Sequence, residues 1–232
     1  MGNEAMTRAA IEAGIGYSST YPGTPASEIG DTLSKLAKSI PNFYFEYSIN
    51  EAAAIEGAAG ASWIGIRSLC TMKHVGLNVA SDALHTIVQS GTSKTGGLVI
   101  ICASDPGVYS SQSEQDDRWF GYHVMIPILE PSNVQEAYEY LLKAFEISES
   151  YDIPVLLYPS SRVCHSIGTI KLGEIKAAKD KGQFKSSISK YVNASVLSIQ
   201  RKKNLMKIIK KMKKRINKLN INRVLEGTNT TG

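Results

Sequence analysis

Residues 46–76, EYSINEAAAIEGAAGASWIGIRSLCTMKHVG, predict a helix that is followed by a strand. The helix begins at Glu51 and is rich in alanine and glycine. Its small residues Ala54, Ala58 and Gly60 would let its backbone approach a neighbouring element or a ligand closely. The strand covers residues 67–72, and we predict a loop with Lys73, His74 and Gly76 after it.

The rest of the chain alternates helices and strands around this stretch. Helix-forming residues and apolar residues at helical spacing predict helices over 3–13, 26–37, 51–64, 77–89 and 134–149. Apolar and aromatic runs predict strands over 15–20, 43–45, 67–72, 98–102, 124–129 and 154–158, although Pro127 weakens the fifth. The alternation predicts an open, doubly wound α/β fold with a mostly parallel sheet and helices on both faces. Ligands of such folds bind outside the carboxyl ends of the strands.

The distribution of charge divides the chain. Residues 1–200 contain 15 Lys and Arg against 20 Asp and Glu, whereas residues 201–232 contain 11 against a single acid, Glu226. Between Arg201 and Lys218, ten basic residues alternate with apolar residues at three- and four-residue steps. We therefore predict a domain over 1–168, a linker over 169–198, and a basic amphipathic helix with a tail over 199–232.

Composition and cysteine usage exclude several classes of protein. An apolar fraction of 43% supports a sizeable core in 232 residues. The apolar runs are far shorter than the roughly 20 residues that span a bilayer, and the first residues lack the basic region of a signal peptide, so we expect a cytoplasmic location. The chain has three cysteines, Cys70, Cys102 and Cys164, and no CxxC pair. We therefore expect reduced thiols, and neither a disulfide framework nor a zinc or iron–sulfur site.

Glu51 has two interpretations from the residues alone. In a capping box formed with Ser48, its carboxylate accepts a hydrogen bond from a backbone N–H at the start of the helix. Alternatively, a buried carboxylate at this position can hydrogen-bond a heteroaromatic nitrogen of a cofactor and shift its proton equilibrium. The helical pattern does not distinguish between these interpretations.

Four polar segments follow predicted strands and should lie at one edge of the sheet: 21–27, 73–76, 105–118 and 160–165. The first three also have structural interpretations, which are a proline turn, a solvated Lys-His pair, and a solvated lid whose acids pair with Arg118. The other histidines are interpreted as structural or surface residues: His85, His123 and His165.

Four motifs together resemble one family of enzymes. They are YPGTPASEI (21–29), NEAAAIEGAAGAS (50–62), TMKHVGLNVASD (71–82) and DPGVYSSQSEQDDR (105–118). Glu51 and its small-residue helix resemble the glutamate helix in the pyrimidine-binding domain of thiamine diphosphate enzymes. Within that superfamily, the motifs are similar, in this order and over about residues 1–168, to the amino-terminal domain of indolepyruvate ferredoxin oxidoreductase alpha subunits. These subunits belong to the 2-oxoacid:ferredoxin oxidoreductases.

The resemblance implies oxidative decarboxylation of an aryl-type 2-oxoacid to its acyl-CoA, with electrons passing through iron–sulfur clusters to ferredoxin. Thiamine diphosphate would carry the chemistry. In the family, the glutamate that matches Glu51 contacts N1′ of the aminopyrimidine ring, so Glu51 is predicted to be both catalytic and cofactor-binding. The same motifs give three further cofactor-binding candidates: Gly23, Thr71 and Gly76.

The remaining site residues follow from the same resemblance. Thr24 and Pro25 match the substrate-side loop, in which a threonine hydroxyl donates to the carboxylate or carbonyl of the oxoacid. Lys73 and His74 match a segment that faces the cofactor, where a cation stabilises negative charge and a histidine can shuttle a proton. Arg118 is interpreted as a substrate carboxylate clamp. No metal-binding residue is predicted.

The sequence lacks parts that the full-length family has. It contains neither a GDG…N motif for diphosphate and magnesium nor a CxxCxxC cluster motif, so magnesium and iron–sulfur clusters are expected on partner domains. The chain then offers at most half of a cofactor site, either as a truncated copy or as a subunit that a partner completes in an oligomer. Its expected partners are the 2-oxoacid, coenzyme A and ferredoxin. A catalytically silent interaction domain of the same fold is the alternative.

The basic carboxy-terminal segment has three interpretations. It can be a linker helix that leads to further domains, a surface for nucleic acid or an anionic membrane, or a docking site for an acidic partner subunit. No interleaved aromatic residues or base-reading module accompany the lysines. We therefore do not predict nucleic acid or membrane binding.

Overall fold

A six-stranded parallel sheet forms the centre of the computed structural model, which describes residues 1–179, 181–216, 219 and 221–222. Its order is β2-β1-β3-β4-β6-β5, and all five pairings are parallel. The strands are β1 (Tyr17–Thr20), β2 (Tyr44–Tyr47), β3 (Ser68–Lys73), β4 (Leu98–Ala103), β5 (Ile128–Leu129) and β6 (Val155–Leu157).

Helices cover both faces of this sheet. They are α1 (Gly2–Glu12), α2 (Ser27–Leu36), α3 (Glu51–Trp63), α4 (His74–Val79), α5 (Ser81–Ser90), α6 (Phe120–His123), α7 (Val134–Tyr151), α8 (Ser161–His165), α9 (Ile188–Tyr191) and α10 (Ser195–Ile216). The chain moves in one direction from β1 to β2 and in the other from β3 to β4, so right-handed crossovers place α2 and α5 on opposite faces. Contacts agree, because α1 packs on α2 and α7, whereas α3 packs on α5. The predicted doubly wound α/β fold is confirmed.

Burial explains which strands are central. All six residues of β4 and the first five of β3 are buried, as expected for strands that are covered on both faces. The edge strand β2 instead exposes Tyr44 and Tyr47. The cysteines are free and buried, and burial raises the pKa of the Cys70 thiol to about 12.

Two predictions of local structure are wrong. Residues 73–76 are not a loop, because Lys73 ends β3 and α4 begins directly at His74. Gly76 lies inside that helix, where it makes room for another side chain. The predicted strand over 124–129 shrinks to Ile128–Leu129, because Met125 has a positive φ of 63° and Pro127 has no N–H to donate.

The predicted linker packs against the amino-terminal edge of the sheet. The backbone N–H of Gly173 donates to Glu12 Oε2 at 3.0 Å, and that of Gln183 donates to the Ile64 carbonyl at 2.8 Å. Lys179 Nζ donates to the Gly65 carbonyl at 2.9 Å. The segment therefore lies opposite the edge where ligands are expected. The boundaries at residues 168 and 198 stay predictions.

The basic helix α10 begins at Ser195 and packs on α5. Leu205 and Met212 on its apolar face are buried. Although it has 22 residues, neither this helix nor any other in the described part of the chain is long and apolar enough to cross a membrane. Most of the tail predicted after it lies outside the described residues.

Candidate functional site

Three chain segments meet at the carboxyl ends of β1, β3 and β4. The chain leaves β1 toward one face and β3 toward the other, which creates the crevice where open α/β folds bind ligands. A Cβ on Gly23 would lie only 2.9 Å from Lys73 Cβ. The segment after β1 can therefore approach the end of β3 this closely because residue 23 is glycine.

Glu51 lies beside this crevice at the start of α3. It is buried, with 8% of its surface exposed. Asn50 caps the helix, because its side-chain oxygen accepts a hydrogen bond from the Ala53 N–H at 2.8 Å. Ser48 donates instead to Glu46 at 3.1 Å, so the predicted capping box between Ser48 and Glu51 is wrong.

The Glu51 carboxylate is left without a hydrogen-bond donor from any described residue. Its oxygens are not among the fully enclosed polar atoms that lack a partner, so the carboxylate is open to a ligand in the crevice. Gly76 packs directly against this side chain, and a Cβ there would lie 2.5 Å from both Glu51 Cγ and Glu51 Oε1. The absence of a side chain at residue 76 thus keeps Glu51 in its present position.

His74 is the first residue of α4 and is 1% exposed. Its Nε2 lies 3.2 Å from the carbonyl oxygen of Ser113, which assigns the proton to Nε2 because a carbonyl can only accept. Nδ1 is buried and has no hydrogen-bond partner among the described residues. The protein therefore encloses Nδ1, while Nε2 links the start of α4 to the segment after β4.

Asp105 organises the segment that follows β4. Its Oδ2 accepts hydrogen bonds from Ser110 N at 2.9 Å and from Ser111 Oγ at 2.6 Å. Burial alone would raise the pKa of Asp105, but these hydrogen bonds and the charge of Lys73 lower it below its usual range. Lys73 Nζ in turn donates to the Ser110 carbonyl at 2.6 Å, so the ends of β3 and β4 are tied together.

A cleft of about 300 Å³ lies at the same edge of the sheet and is lined by Ser110. It contains both predicted residues of the substrate-side loop, Thr24 and Pro25, whose peptide bond is cis. The other lining residues come from the segments after β4 and β6: Asp105, Tyr109, Ser110, Ser161, Arg162 and His165. The fourth polar segment of the sequence therefore contributes to the same edge.

The structure does not bring Thr71 or Arg118 to this crevice. Thr71 is fully buried in β3, and its Oγ1 donates to Thr20 Oγ1 at 2.7 Å. Arg118 is exposed and forms a bidentate pair with Asp116, with Nε to Oδ1 at 2.7 Å and Nη2 to Oδ2 at 2.9 Å. The pairing agrees with the interpretation in which acids of the same segment bind Arg118, and not with its interpretation as a substrate clamp.

The sequence did not single out Asp117, which is nevertheless buried below the site. Burial raises its pKa to about 6, and a nearby charge on His74 acts in the opposite direction. Cys102 Sγ lies 3.9 Å from its Oδ2. The sequence does not show which of the two adjacent acids, Asp116 and Asp117, is buried. The turn Asp117–Trp119 directs Asp117 inward and leaves Asp116 in solvent.

Asp117→Asn is expected to flatten the pH dependence of stability between about pH 4 and about pH 6. In this interval the folded chain keeps a proton that the unfolded chain has released, because the folded-state pKa is about 6 instead of 3.8. The free energy of unfolding therefore falls as the pH rises, and the variant lacks this fall. Urea denaturation from about pH 4 to pH 7 measures the slope.

Asp116→Asn is the matched control for that experiment. Its hydrogen bonds with Arg118 lower the pKa of Asp116, so this carboxylate stabilises the fold above its unfolded pKa and loses that effect in acid. Its removal should therefore change the slope only in more acidic solution and leave the fall between about pH 4 and pH 6 largely as in wild type. Equal slopes in wild type and Asp117→Asn would contradict the assignment.

The other histidines occupy positions away from Glu51. His85 Nδ1 lies 2.9 Å from the Ser81 carbonyl, and its ring packs edge-on against His123 at 4.6 Å. His165 Nε2 lies 3.7 Å from Glu28 Oε1. Within the residues that the structure describes, no cluster of three or more His, Cys, Asp or Glu side chains is placed to hold a metal ion.

Known proteins resemble this chain over most of its length. Residues 8–219 match the family described as "Pyruvate flavodoxin/ferredoxin oxidoreductase, thiamine diP-bdg", that is, thiamine diphosphate-binding. The indolepyruvate oxidoreductase subunit IorA of Methanothermobacter marburgensis is 47% identical over 225 residues, which cover 97% of this chain and 36% of that protein. IorA of Pyrococcus abyssi is 45% identical over 222 residues, 94% of this chain and 34% of that protein. The chain thus spans about a third of these relatives.

A solved structure shares the fold. It is a 2-oxoglutarate:ferredoxin oxidoreductase from Magnetococcus marinus with 2-oxoglutarate, coenzyme A and succinyl-CoA bound. The TM-score is 0.73 at 17% sequence identity, over 97% of this chain and 46% of that one. At this identity the likeness concerns the fold alone.

Proposed function

Because the chain belongs to the pyruvate flavodoxin/ferredoxin oxidoreductase family of thiamine diphosphate-binding domains, we propose that it is the pyrimidine-side half of an indolepyruvate-type 2-oxoacid:ferredoxin oxidoreductase. The reaction is oxidative decarboxylation of an aryl 2-oxoacid to its acyl-CoA, with ferredoxin as electron acceptor. The observation that carries this proposal is the buried Glu51 carboxylate, which caps nothing and has no described hydrogen-bond donor.

The residues around Glu51 fit an aminopyrimidine ring. Glu51 accepts no hydrogen bond from a described side chain and offers a carboxylate oxygen to a ring nitrogen. Gly76 has no side chain that would push the carboxylate away. When bound, thiamine diphosphate supplies the electron sink for the carbanion that decarboxylation leaves.

Three of the predicted residues have a task in this proposal. Glu51 holds or releases a proton at its carboxylate, and the separate cap by Asn50 keeps helix α3 in place while it does so. Lys73 uses one of its three N–H donors on Ser110 and keeps two for negative charge on the substrate. Thr24 lines the neighbouring cleft, and in this proposal its hydroxyl donates to the oxoacid.

Exposed apolar side chains lie on two segments at the carboxyl ends of the strands. Tyr47 and Ile49 precede Glu51 and are 49% and 86% exposed, and Trp119 and Tyr122 in the segment after β4 are 69% and 83% exposed. Such a surface is typical of a protein interface. We propose that a cytoplasmic partner domain with the diphosphate site, magnesium and iron–sulfur clusters covers it within an oligomer.

Calorimetry tests this function directly. The chain is combined with a second polypeptide that carries the remaining length of an IorA relative, and thiamine diphosphate is titrated in the presence of magnesium. We expect saturable binding by the combination and much weaker binding by either polypeptide alone. If the two polypeptides associate but do not bind the cofactor, the chain is a silent interaction domain and the proposed function is wrong.

A further inference from the structure

The cleft beside Thr24 is lined by a cation, Arg162, to which the proposed function assigns no role. A 2-oxoacid carries a carboxylate, and arginine is the side chain best suited to bind a carboxylate through two parallel hydrogen bonds. Two arginines lie near the carboxyl edge of the sheet, Arg118 after β4 and Arg162 after β6. The structure distinguishes between them by their partners.

Arg118 is already occupied. Asp116 accepts two hydrogen bonds from the Nε–Nη2 edge of its guanidinium, and Glu130 Oε2 lies 3.7 Å from its Nη1. Arg118 is also absent from the lining of the Thr24 cleft. A substrate carboxylate would have to compete with two acidic side chains for this guanidinium.

Arg162 has the opposite properties. It lines the same cleft as Thr24 and is exposed. No described acidic side chain forms an ion pair with its guanidinium, and no described acceptor hydrogen-bonds it. Its charge is therefore available to a ligand in the cleft.

The other charged groups of the cleft are already engaged. Asp105 Oδ2 accepts hydrogen bonds from Ser110 and Ser111, and Lys73 contributes a neighbouring positive charge. His165 lies 3.7 Å from Glu28. Arg162 is thus the one cation among the described cleft-lining residues that has no acidic neighbour within ion-pair distance.

The backbone that carries Arg162 is well fixed. The Ser161 N–H donates to the Ser104 carbonyl at 2.7 Å, which links the ends of β6 and β4. Val163 and Cys164 on the next positions of α8 are buried. The guanidinium therefore extends from an anchored turn, as a substrate-orienting group requires.

We propose that Arg162 is a substrate-binding residue that receives the carboxylate of the 2-oxoacid, with the Thr24 hydroxyl on the same ligand. This inference rests on the proposed function and assigns the clamp to a different arginine from the one that the sequence suggested. Arg162 selects a ligand with a free carboxylate. It does not take part in proton transfer at Glu51.

The test uses the reconstituted enzyme with indolepyruvate as substrate. Arg162→Ala is expected to raise KM about 10- to 100-fold, as for loss of a hydrogen-bonded charge partner, while thiamine diphosphate affinity and exchange of its C2 proton stay as in wild type. Arg162→Lys should recover part of the loss. Arg118→Ala, which removes the same charge from an occupied pair, should leave KM unchanged.

Inhibitors separate carboxylate binding from a general loss of structure. The 2-hydroxy acid analogue of the substrate should inhibit wild type more strongly than its uncharged amide, and this difference should disappear in Arg162→Ala. A preserved difference, or a KM change in Arg118→Ala instead, would overturn the proposal. Exchange of the C2 proton needs no oxoacid. If the wild-type reconstituted enzyme shows no such exchange, the proposed function is wrong, whereas an error about Arg162 alone would leave the exchange intact.

Discussion

Glu51→Gln is expected to slow exchange of the C2 proton of bound thiamine diphosphate by at least about 100-fold in the reconstituted enzyme, the usual lower range for losing a general acid or base. Glutamine has nearly the same shape but cannot gain or lose a proton at physiological pH. The helix should persist, because its cap is the Asn50 side chain and not Glu51. Exchange followed by NMR after mixing with deuterated buffer measures the effect.

Two variants of the same helix serve as controls for Glu51. Glu56→Gln makes the identical chemical change at an exposed position of α3 and should leave exchange unaffected. Asn50→Ala removes the cap and should lower the free energy of unfolding by about 0.5–2 kcal/mol, with exchange largely retained. Rapid exchange in folded Glu51→Gln would show that this carboxylate does not handle the proton.

Gly76→Ala is expected to impair the site almost as strongly, although alanine is chemically inert. The new Cβ would lie 2.5 Å from Glu51 Cγ and Oε1, so the carboxylate must leave its position. A displacement of about 1 Å in a catalytic group can cost about 100-fold in rate. We expect C2 exchange to fall by this order, with an overpacking cost of about 1–3 kcal/mol in stability.

Gly60→Ala is the matched control for Gly76. It adds the same methyl group to α3, where the new Cβ would meet no atom within 4 Å apart from the adjoining backbone of its own helix, and should stabilise the helix by up to about 1 kcal/mol. Combining Gly76→Ala with Glu51→Ala removes the clash and should restore stability without restoring exchange. If stability is not restored, the cost of Gly76→Ala comes from a contact other than Glu51.

The sequence predicted the fold well because its strands are encoded locally. The short, β-branched and fully apolar run of β4 favours a strand that is covered on both faces, and the glycine- and alanine-rich helix α3 follows from composition and spacing. The start of α4 was missed for a physical reason. Gly76 has the appearance of a loop residue, but its role depends on a carboxylate 25 positions earlier in the chain.

The site was predicted less completely, because pairing between side chains is not visible in sequence. The structural interpretation of Arg118 as a partner of nearby acids agrees with its pair to Asp116. Arg162 and Thr24 come together only when β6 and β1 are placed in one sheet. Ser48 fits the sequence pattern of a capping box. The structure instead assigns the cap to Asn50, whose backbone is extended and whose side chain accepts from the Ala53 N–H.

Thr71 does not face a ligand, yet its hydrogen bonds determine how the site can move. Its hydroxyl donates to Thr20 Oγ1, and the Thr20 hydroxyl donates to the Thr71 carbonyl at 2.9 Å. This double link joins β1 and β3 just below the point where Gly23 meets Lys73. If the crevice widens, residues 21–23 should therefore move relative to the end of β3, while the hydrogen bonds between Thr20 and Thr71 keep β1 and β3 together.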